Sequence, residues 1–203
     1  MLGTVSASPL NPGDRQAQRE VEDLLASKGA LYPDIVPWFR RRVLPGLGTP
    51  ARRVWTIRRG GALVGEAILK LDGRDAKLCS MFLDPEIRRV GVGDLVLAQI
   101  LGRARRSGAE EIHFTIGEDT APDHVGYFER VGFHFVGWRQ GYRRGVREMV
   151  YAASPAAADA ALLSLVRGGR RTDEGWTPAD SWATGRLPGR SEAQRELFVA
   201  RTR

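Results

Sequence analysis

The stretch Asp84-Pro85-Glu86-Ile87-Arg88-Arg89-Val90-Gly91-Val92-Gly93-Asp94-Leu95 gathers the residue types that bind anions. Gly91 and Gly93 remove side chains where a backbone must bend sharply or approach a ligand closely. A helix beginning there would aim its unsatisfied N–H groups and the positive end of its dipole at one point. Arg88 and Arg89 add fixed positive charge beside that nest. A diphosphate is the guest such a turn suits. The stretch lacks both the Walker-type G-x-x-x-x-G-K-[ST] loop and a complete G-x-G-x-x-G dinucleotide fingerprint, which disfavours those two nucleotide classes.

Two elements must hold this turn. Before it, residues 77–83 read as a strand apolar on both faces (Leu78 and Phe82; Cys79, Met81 and Leu83), which predicts a central place in a sheet. After it, residues 94–106 read as a helix. Leu97, Ile100, Leu101 and Ala104 recur at helical spacing and Gly108 closes it. Upstream, residues 54–57 and 62–71 flank Gly60-Gly61 as a hairpin, and Asp72-Gly73 makes a second turn.

The remaining elements follow from the same signals. Two helices precede the hairpin, one capped by Asp14 and stopped at Gly29, the other over about 34–44. Downstream, Ile112, Phe114 and Ile116 alternate with polar residues, a short helix covers about 123–131, and strands near 133–138 and 146–151 are joined by a basic loop over 139–145. Ser154-Pro155 opens an Ala/Leu helix that ends at Gly168-Gly169. Helix-linked strands after residue 84 predict that the third and fourth strands run parallel in an otherwise antiparallel sheet. The expected class is α/β. A single domain spans 14–153, with a frayed segment over 1–13, a helix over 154–169 and a flexible or partner-dependent appendage over 170–203. Trp176 and Trp182 in that appendage are candidate anchors on the domain or on a partner.

Composition sets the outer limits. The 203 residues are 42% hydrophobic, which excludes a wholly disordered or fibrous chain. One cysteine cannot form an internal disulfide or a Cys-rich zinc site, and the three histidines lack metal-ligand spacing, so no metal is expected. No apolar run is long enough to span a bilayer and residues 1–13 lack a signal-peptide core, so a cytoplasmic location away from membranes is expected. The formal charge of +7 is carried by 28 Arg and 3 Lys and is spread along the chain rather than gathered in a polybasic tail.

Arg88-Arg89-Val90-Gly91-Val92-Gly93 resembles the R/Q-x-x-G-x-G/A motif of the GCN5-related N-acetyltransferase (GNAT) superfamily. Tyr127-Phe128-Glu129-Arg130-Val131-Gly132-Phe133 resembles that family's second landmark, and the two stand in the family's order. The resemblance covers about residues 31–153. It implies a mostly antiparallel mixed sheet with flanking helices and an acyl-CoA, most often acetyl-CoA, as co-substrate. It further implies that Met81 and Leu83 offer backbone groups to pantetheine while the amides of Arg88, Arg89, Val90, Gly91, Val92 and Gly93 hold the pyrophosphate. The implied chemistry is direct attack of an amine on the thioester, which needs a neutral amine and a polarised carbonyl.

Three positions depart from the family's pattern. Lys77 stands where a carboxylate base is common, Phe128 where a thiolate-protonating tyrosine is common, and Ala121 where an asparagine often meets pantetheine. The substitute base candidates are Glu66, Asp75, Glu118 and Asp119, each of which also has the plain reading of a solvated surface carboxylate; Glu66 is put forward. Tyr127 is the acid candidate, its other reading being core packing with solvent protonating the thiolate. His113 and His134 read as structural, and His124 as the histidine nearest the thioester. Cys79 reads as inert packing. Arg40, Arg41, Arg42, Arg139, Arg143, Arg144 and Arg147 flank the region where the family frames its acceptor. They read either as solvated arginines or as a recruiting surface for an acidic acceptor or an RNA. The acceptor is therefore an amine on an unidentified small molecule or protein, and the oligomeric state is open, a dimer included. A catalytically weak CoA-binding module and an acetyltransferase acting on aminoacyl-tRNA are the alternative functions.

Overall fold

The computed structural model describes residues 4–88, 91–121, 124–141, 143, 145–168, 170–172 and 175–177. Arg89, Val90, Arg144 and Trp182 lie outside the described residues. One seven-stranded sheet organises the chain, in the order β1-β2-β3-β4-β5-β7-β6. Its strands are β1 (Val5–Pro9), β2 (Arg52–Arg59), β3 (Ala62–Asp72), β4 (Asp75–Leu83), β5 (Glu111–Gly117), β6 (His134–Gln140) and β7 (Arg147–Ala153). Every pairing is antiparallel except that of β4 with β5. The apolar strand expected at the centre is the middle one of the seven.

The helices divide between the two faces. α1 (Arg15–Ala26) is capped by Asp14, whose Oδ1 accepts the Ala17 N–H at 2.9 Å. Its buried residues Ala17, Val21 and Leu25, four apart, pack with Phe39 and Val43 onto Val54 and Ile68 of the sheet. On the other face, α3 (Val92–Arg106) sets Val96, Leu97, Ile100, Leu101 and Ala104 against Trp55, Ile57, Leu69 and Leu78. α5 (Pro155–Gly168) adds Ala158 and Leu162 to this larger core, and the short α4 (Val125–Arg130) adds Tyr127 and Phe128 at its margin.

Four expectations are corrected. The segment 1–13 is not frayed where it is described: β1 pairs with β2 from Val5 to Pro9, and Leu10 is buried. Its alternating residues cover an otherwise open sheet edge, which outweighs a composition rich in Ser and Pro. The helix over 34–44 is shorter and irregular. It comprises α2 (Ile35–Trp38), a π-helical turn over Phe39–Val43 and a 3₁₀ turn over Leu44–Gly46, which together bring Phe39 and Val43 into the same core. α3 begins at Val92 rather than Asp94, because Gly91 in the left-handed region caps it and Val92 is buried. The basic loop is shorter than 139–145, since Arg139 and Gln140 continue β6 in register with Glu148 and Arg147. Beyond α5, a short hairpin of β8 (Arg170–Thr172) and β9 (Gly175–Thr177) is the described part of the terminal segment.

Candidate functional site

The parallel pair β4–β5 is joined only at one end. Asp75, Ala76 and Lys77 pair with Glu111, Ile112 and His113, and beyond that point the strands part. From Leu78 onward β4 stays bonded to β3, and from Phe114 onward β5 stays bonded to β7. The sheet thus opens as a wedge whose mouth lies at the C-terminal ends of both strands. This is where a parallel strand–turn–helix unit presents a ligand site.

The glycine turn closes one side of this mouth. Gly91 has φ +84° and, as a glycine, caps α3 without a side-chain hydrogen bond, so the cap residue itself leaves the first-turn N–H groups uncovered. A Cβ at Gly91 would meet nothing within 4 Å, which leaves the approach to the helix end open. Arg88 does not stand free beside it. Its Nε donates to the Leu83 carbonyl at 2.8 Å, and its guanidinium lies 5.7 Å from the centre of the Phe82 ring. Arg88 therefore holds the end of β4 and takes the Leu83 carbonyl that the resemblance assigns to pantetheine.

Tyr127 reaches the same helix end. Its hydroxyl donates to Asp94 Oδ1 at 2.9 Å and would lie 3.7 Å from a Cβ on Gly93. Burial, together with the adjacent Asp94 carboxylate, pushes the phenol well above its ordinary range. Phe128, one residue on, points into the aromatic group of Phe114 and Phe133, at centroid distances of 4.3 and 5.6 Å. The tyrosine thus faces the turn while its neighbour packs in the core.

Glu66 departs furthest from its plain reading. It is not a solvated carboxylate but has no exposed surface at all. β2 and β4 flank it, with Thr56 and Phe82 as its cross-strand partners, and Ser80 Oγ lies 2.5 Å from Oε1. Oε2 is buried without a hydrogen-bond partner among the described residues. Burial raises its pKa to about 7, and the Ser80 hydrogen bond acts in the opposite direction. Thr56, Glu66 and Phe82 share the sheet face covered by α1 and α2, opposite the face that carries α3.

The other candidates separate cleanly from Glu66. Glu118 and Asp119 are held below the usual carboxylate range by Arg147 and Arg143, at 2.9 and 2.5 Å. Arg139 lies 3.4 Å from buried Glu148, and Arg40 pairs with Glu22. Four of the flanking arginines are thus engaged by the chain's own carboxylates, and Arg147 also lies 4.4 Å over the Trp138 ring. Burial, then Lys77, lowers His113 to about 4 and keeps it neutral. Burial raises the Cys79 thiol, which fits inert packing. His124 is exposed at the start of α4, Asp75 is exposed at its turn, and Ala121 is buried. Sequence reasoning missed Ser80, Asp94 and Lys28. A polar residue on the neighbouring strand, diagonal to Glu66 on the same sheet face, was the available signal for the first, but it depends on a register the sequence does not display. Among the described residues no helix is long and apolar enough to cross a membrane, and no group of three or more His, Cys, Asp or Glu could hold a metal ion.

An open mixed sheet, split between two parallel strands beside a glycine-capped helix, defines the class of fold. The Acetyltransferase (GNAT) domain model matches residues 40–153. The chain belongs to this family, whose members transfer acyl groups to amines and generally use acetyl-CoA. Solved structures share the fold at low identity. An acetyltransferase of the GNAT family from Staphylococcus aureus superposes with a TM-score of 0.57 at 15% identity, over 75% of this chain and 99% of that one. The ribosomal-protein-S18-alanine N-acetyltransferase of Escherichia coli gives 0.60 at 15% identity, over 74% and 94%. A chimeric spermidine N-acetyltransferase from Vibrio cholerae gives 0.57 at 15% identity, over 76% and 97%. No curated protein matches by sequence.

Proposed function

We propose that the protein transfers the acetyl group of acetyl-CoA to a primary amine by direct attack. The observation that carries this reading is the parting of β4 from β5 beyond Lys77 and His113, beside the Gly91-capped end of α3. The residues fit such a co-substrate. The free N–H groups of the first turn from Val92, with Gly91 and Gly93, suit the diphosphate, and Met81 and Leu83 border the wedge for a pantetheine arm. Arg88, Arg89 and Val90 complete the cradle in this reading, with Arg88 exchanging the Leu83 carbonyl for a phosphate oxygen. Acetyl-CoA supplies an activated acyl thioester.

Glu66 is the base. An amine arriving as an ammonium must lose a proton before it can attack, and a carboxyl poised near neutral pH inside an apolar surround accepts one efficiently. Ser80 fixes one oxygen and leaves Oε2 to receive the proton. Tyr127 acts by holding α4 on α3 through Asp94 rather than as the acid. A phenol whose proton is retained by a carboxylate is a poor donor to a departing thiolate, which takes its proton from solvent.

Thermal denaturation with acetyl-CoA tests the reading, since a ligand that binds only the folded state raises the melting temperature. Acetyl-CoA is expected to raise it, Gly91→Asp to abolish the shift, and a panel of primary amines to release free CoA. No shift at millimolar acetyl-CoA overturns the proposal. A shift without CoA release across the panel favours a binding module instead.

A further inference from the structure

Lys28 reaches Phe82, the cross-strand neighbour of Glu66, although nothing in its position in the sequence marks it out. It lies in the turn that closes α1, and its Nζ sits 3.6 Å above the centre of the Phe82 ring. Phe82 is directly across from Glu66 in the β3–β4 register, so the two side chains share one sheet face as neighbours. A primary ammonium is thereby seated on the aromatic ring that is the cross-strand neighbour of a buried carboxyl, one of whose oxygens has no hydrogen-bond partner among the described residues. That is the situation an amine acceptor must occupy before it gives up a proton. The chain has only three lysines, and the other two are placed differently. Lys70 Nζ is paired with Asp72 at 2.6 Å, and Lys77 stands at the closed end of the wedge, opposite His113.

We propose that Lys28 is itself an acceptor: the protein acetylates Lys28 Nζ within its own chain. The proposal rests on the acyl-CoA reading above. The step balances without any further reagent. The ammonium of Lys28 passes one proton to Glu66 through water, and its lone pair attacks the thioester carbonyl carbon. A C–N bond forms and the C–S bond breaks. The second proton lost from nitrogen goes to solvent, the sulfur takes one from solvent, and the products are N-acetyl-Lys28 and free CoA. Acetylation removes the positive charge, and with it the cation–π contact to Phe82.

Mass spectrometry of the full chain after incubation with acetyl-CoA tests this, with Lys70 and Lys77 as internal references. Acetyl-Lys28 is expected to form about 100-fold faster than acetyl-Lys70 or acetyl-Lys77, the scale of one positioned base. Its rate constant should not depend on protein concentration. Glu66→Gln should bring Lys28 down to the level of the other two, and Lys28→Arg should abolish the fast phase while keeping the acetyl-CoA thermal shift. Equal modification of all three lysines, or a rate constant that rises with protein concentration, overturns the proposal even if Glu66→Gln proves unstable. An acetyl-CoA thermal shift without acetyl-Lys28 overturns it and leaves the acyl-CoA reading standing. Absence of the thermal shift removes both.

Discussion

Ser80 Oγ lies 2.5 Å from Glu66 Oε1, and the carboxyl it contacts has no exposed surface. The two effects on Glu66 are unequal. Burial penalises the charged form and the hydroxyl favours it, and burial wins, leaving a pKa of about 7. A carboxyl with that value is neither a firm anion nor a firm acid at neutral pH, which is the condition for moving protons.

If Glu66 is the base, the rate of amine acetylation is expected to rise with pH through about 7 and then level off. Glu66→Gln should lower kcat by about 100-fold or more and remove that limb, with little change in the KM for acetyl-CoA. Ser80→Ala deletes the one effect that lowers the pKa, so its limb should move to higher pH. A pH–rate profile of the three proteins checks this, and an unmoved limb in Ser80→Ala would count against the assignment.

Glu66 on β3 and His113 on β5 should tilt stability in opposite directions. Glu66 is raised from 4.5 to about 7, so its unfolded form ionises first and stability is lost as pH rises across that window. The change amounts to about 3 kcal/mol. His113 is lowered from 6.5 to about 4, so its contribution is present above 6.5 and is lost as pH falls toward 4. Between pH 4.5 and 6.5 the slopes oppose, and the wild-type melting temperature should vary little on their account. Glu66→Gln should expose a decline toward acid, and His113→Phe a decline toward neutrality, in melts across that range.

Gly91 and Gly65 should fail in different ways when changed to alanine. A Cβ at Gly91 meets open space, so the cost is confined to holding an L-residue at φ +84°, about 1–2 kcal/mol, and it falls where the co-substrate would bind. A Cβ at Gly65 would lie 2.6 Å from the Phe82 carbonyl oxygen and 2.9 Å from Leu83 Cδ2, so β3 and β4 must separate. Gly65→Ala is expected to destabilise the fold more, by about 2–3 kcal/mol, an overpacking cost. Gly91→Ala should lose more of the acetyl-CoA thermal shift. Melting temperatures with and without acetyl-CoA distinguish the two.

Most of the architecture was legible because period, turn residues and caps agree. The Gly60-Gly61 hairpin, the parallel placement of β4 and β5 and the helix after Gly91 all follow from local patterns. The site was less legible, and Glu66 shows why. Continued unbroken from the Asp72–Asp75 turn, the register would set Glu66 across from Met81; a bulge between Ile68 and Leu69 sets it across from Phe82. A one-residue shift of this kind reverses which side chains face each other, and residue types do not announce it. The edge strand β1 was hidden for a related reason. Its five residues gain order from pairing with β2, a partner more than forty residues away, rather than from their own composition.

Tyr127 offers the sharpest separation between packing and chemistry. Its hydroxyl donates to Asp94 at 2.9 Å while its ring packs edge-on against Phe128, at a centroid distance of 5.2 Å. Tyr127→Phe keeps the ring and removes only the hydrogen bond, which should cost about 1 kcal/mol of stability. Asp94→Asn retains an acceptor at nearly the same place and should cost less. If the hydroxyl only ties α4 to α3, kcat should stay within a few-fold of wild type, and any change should appear in the KM for acetyl-CoA. A fall in kcat of about 100-fold at unchanged KM would instead make Tyr127 the proton donor. Steady-state kinetics and melting temperatures of the two variants decide the matter, because loss of packing and loss of an acid move different parameters.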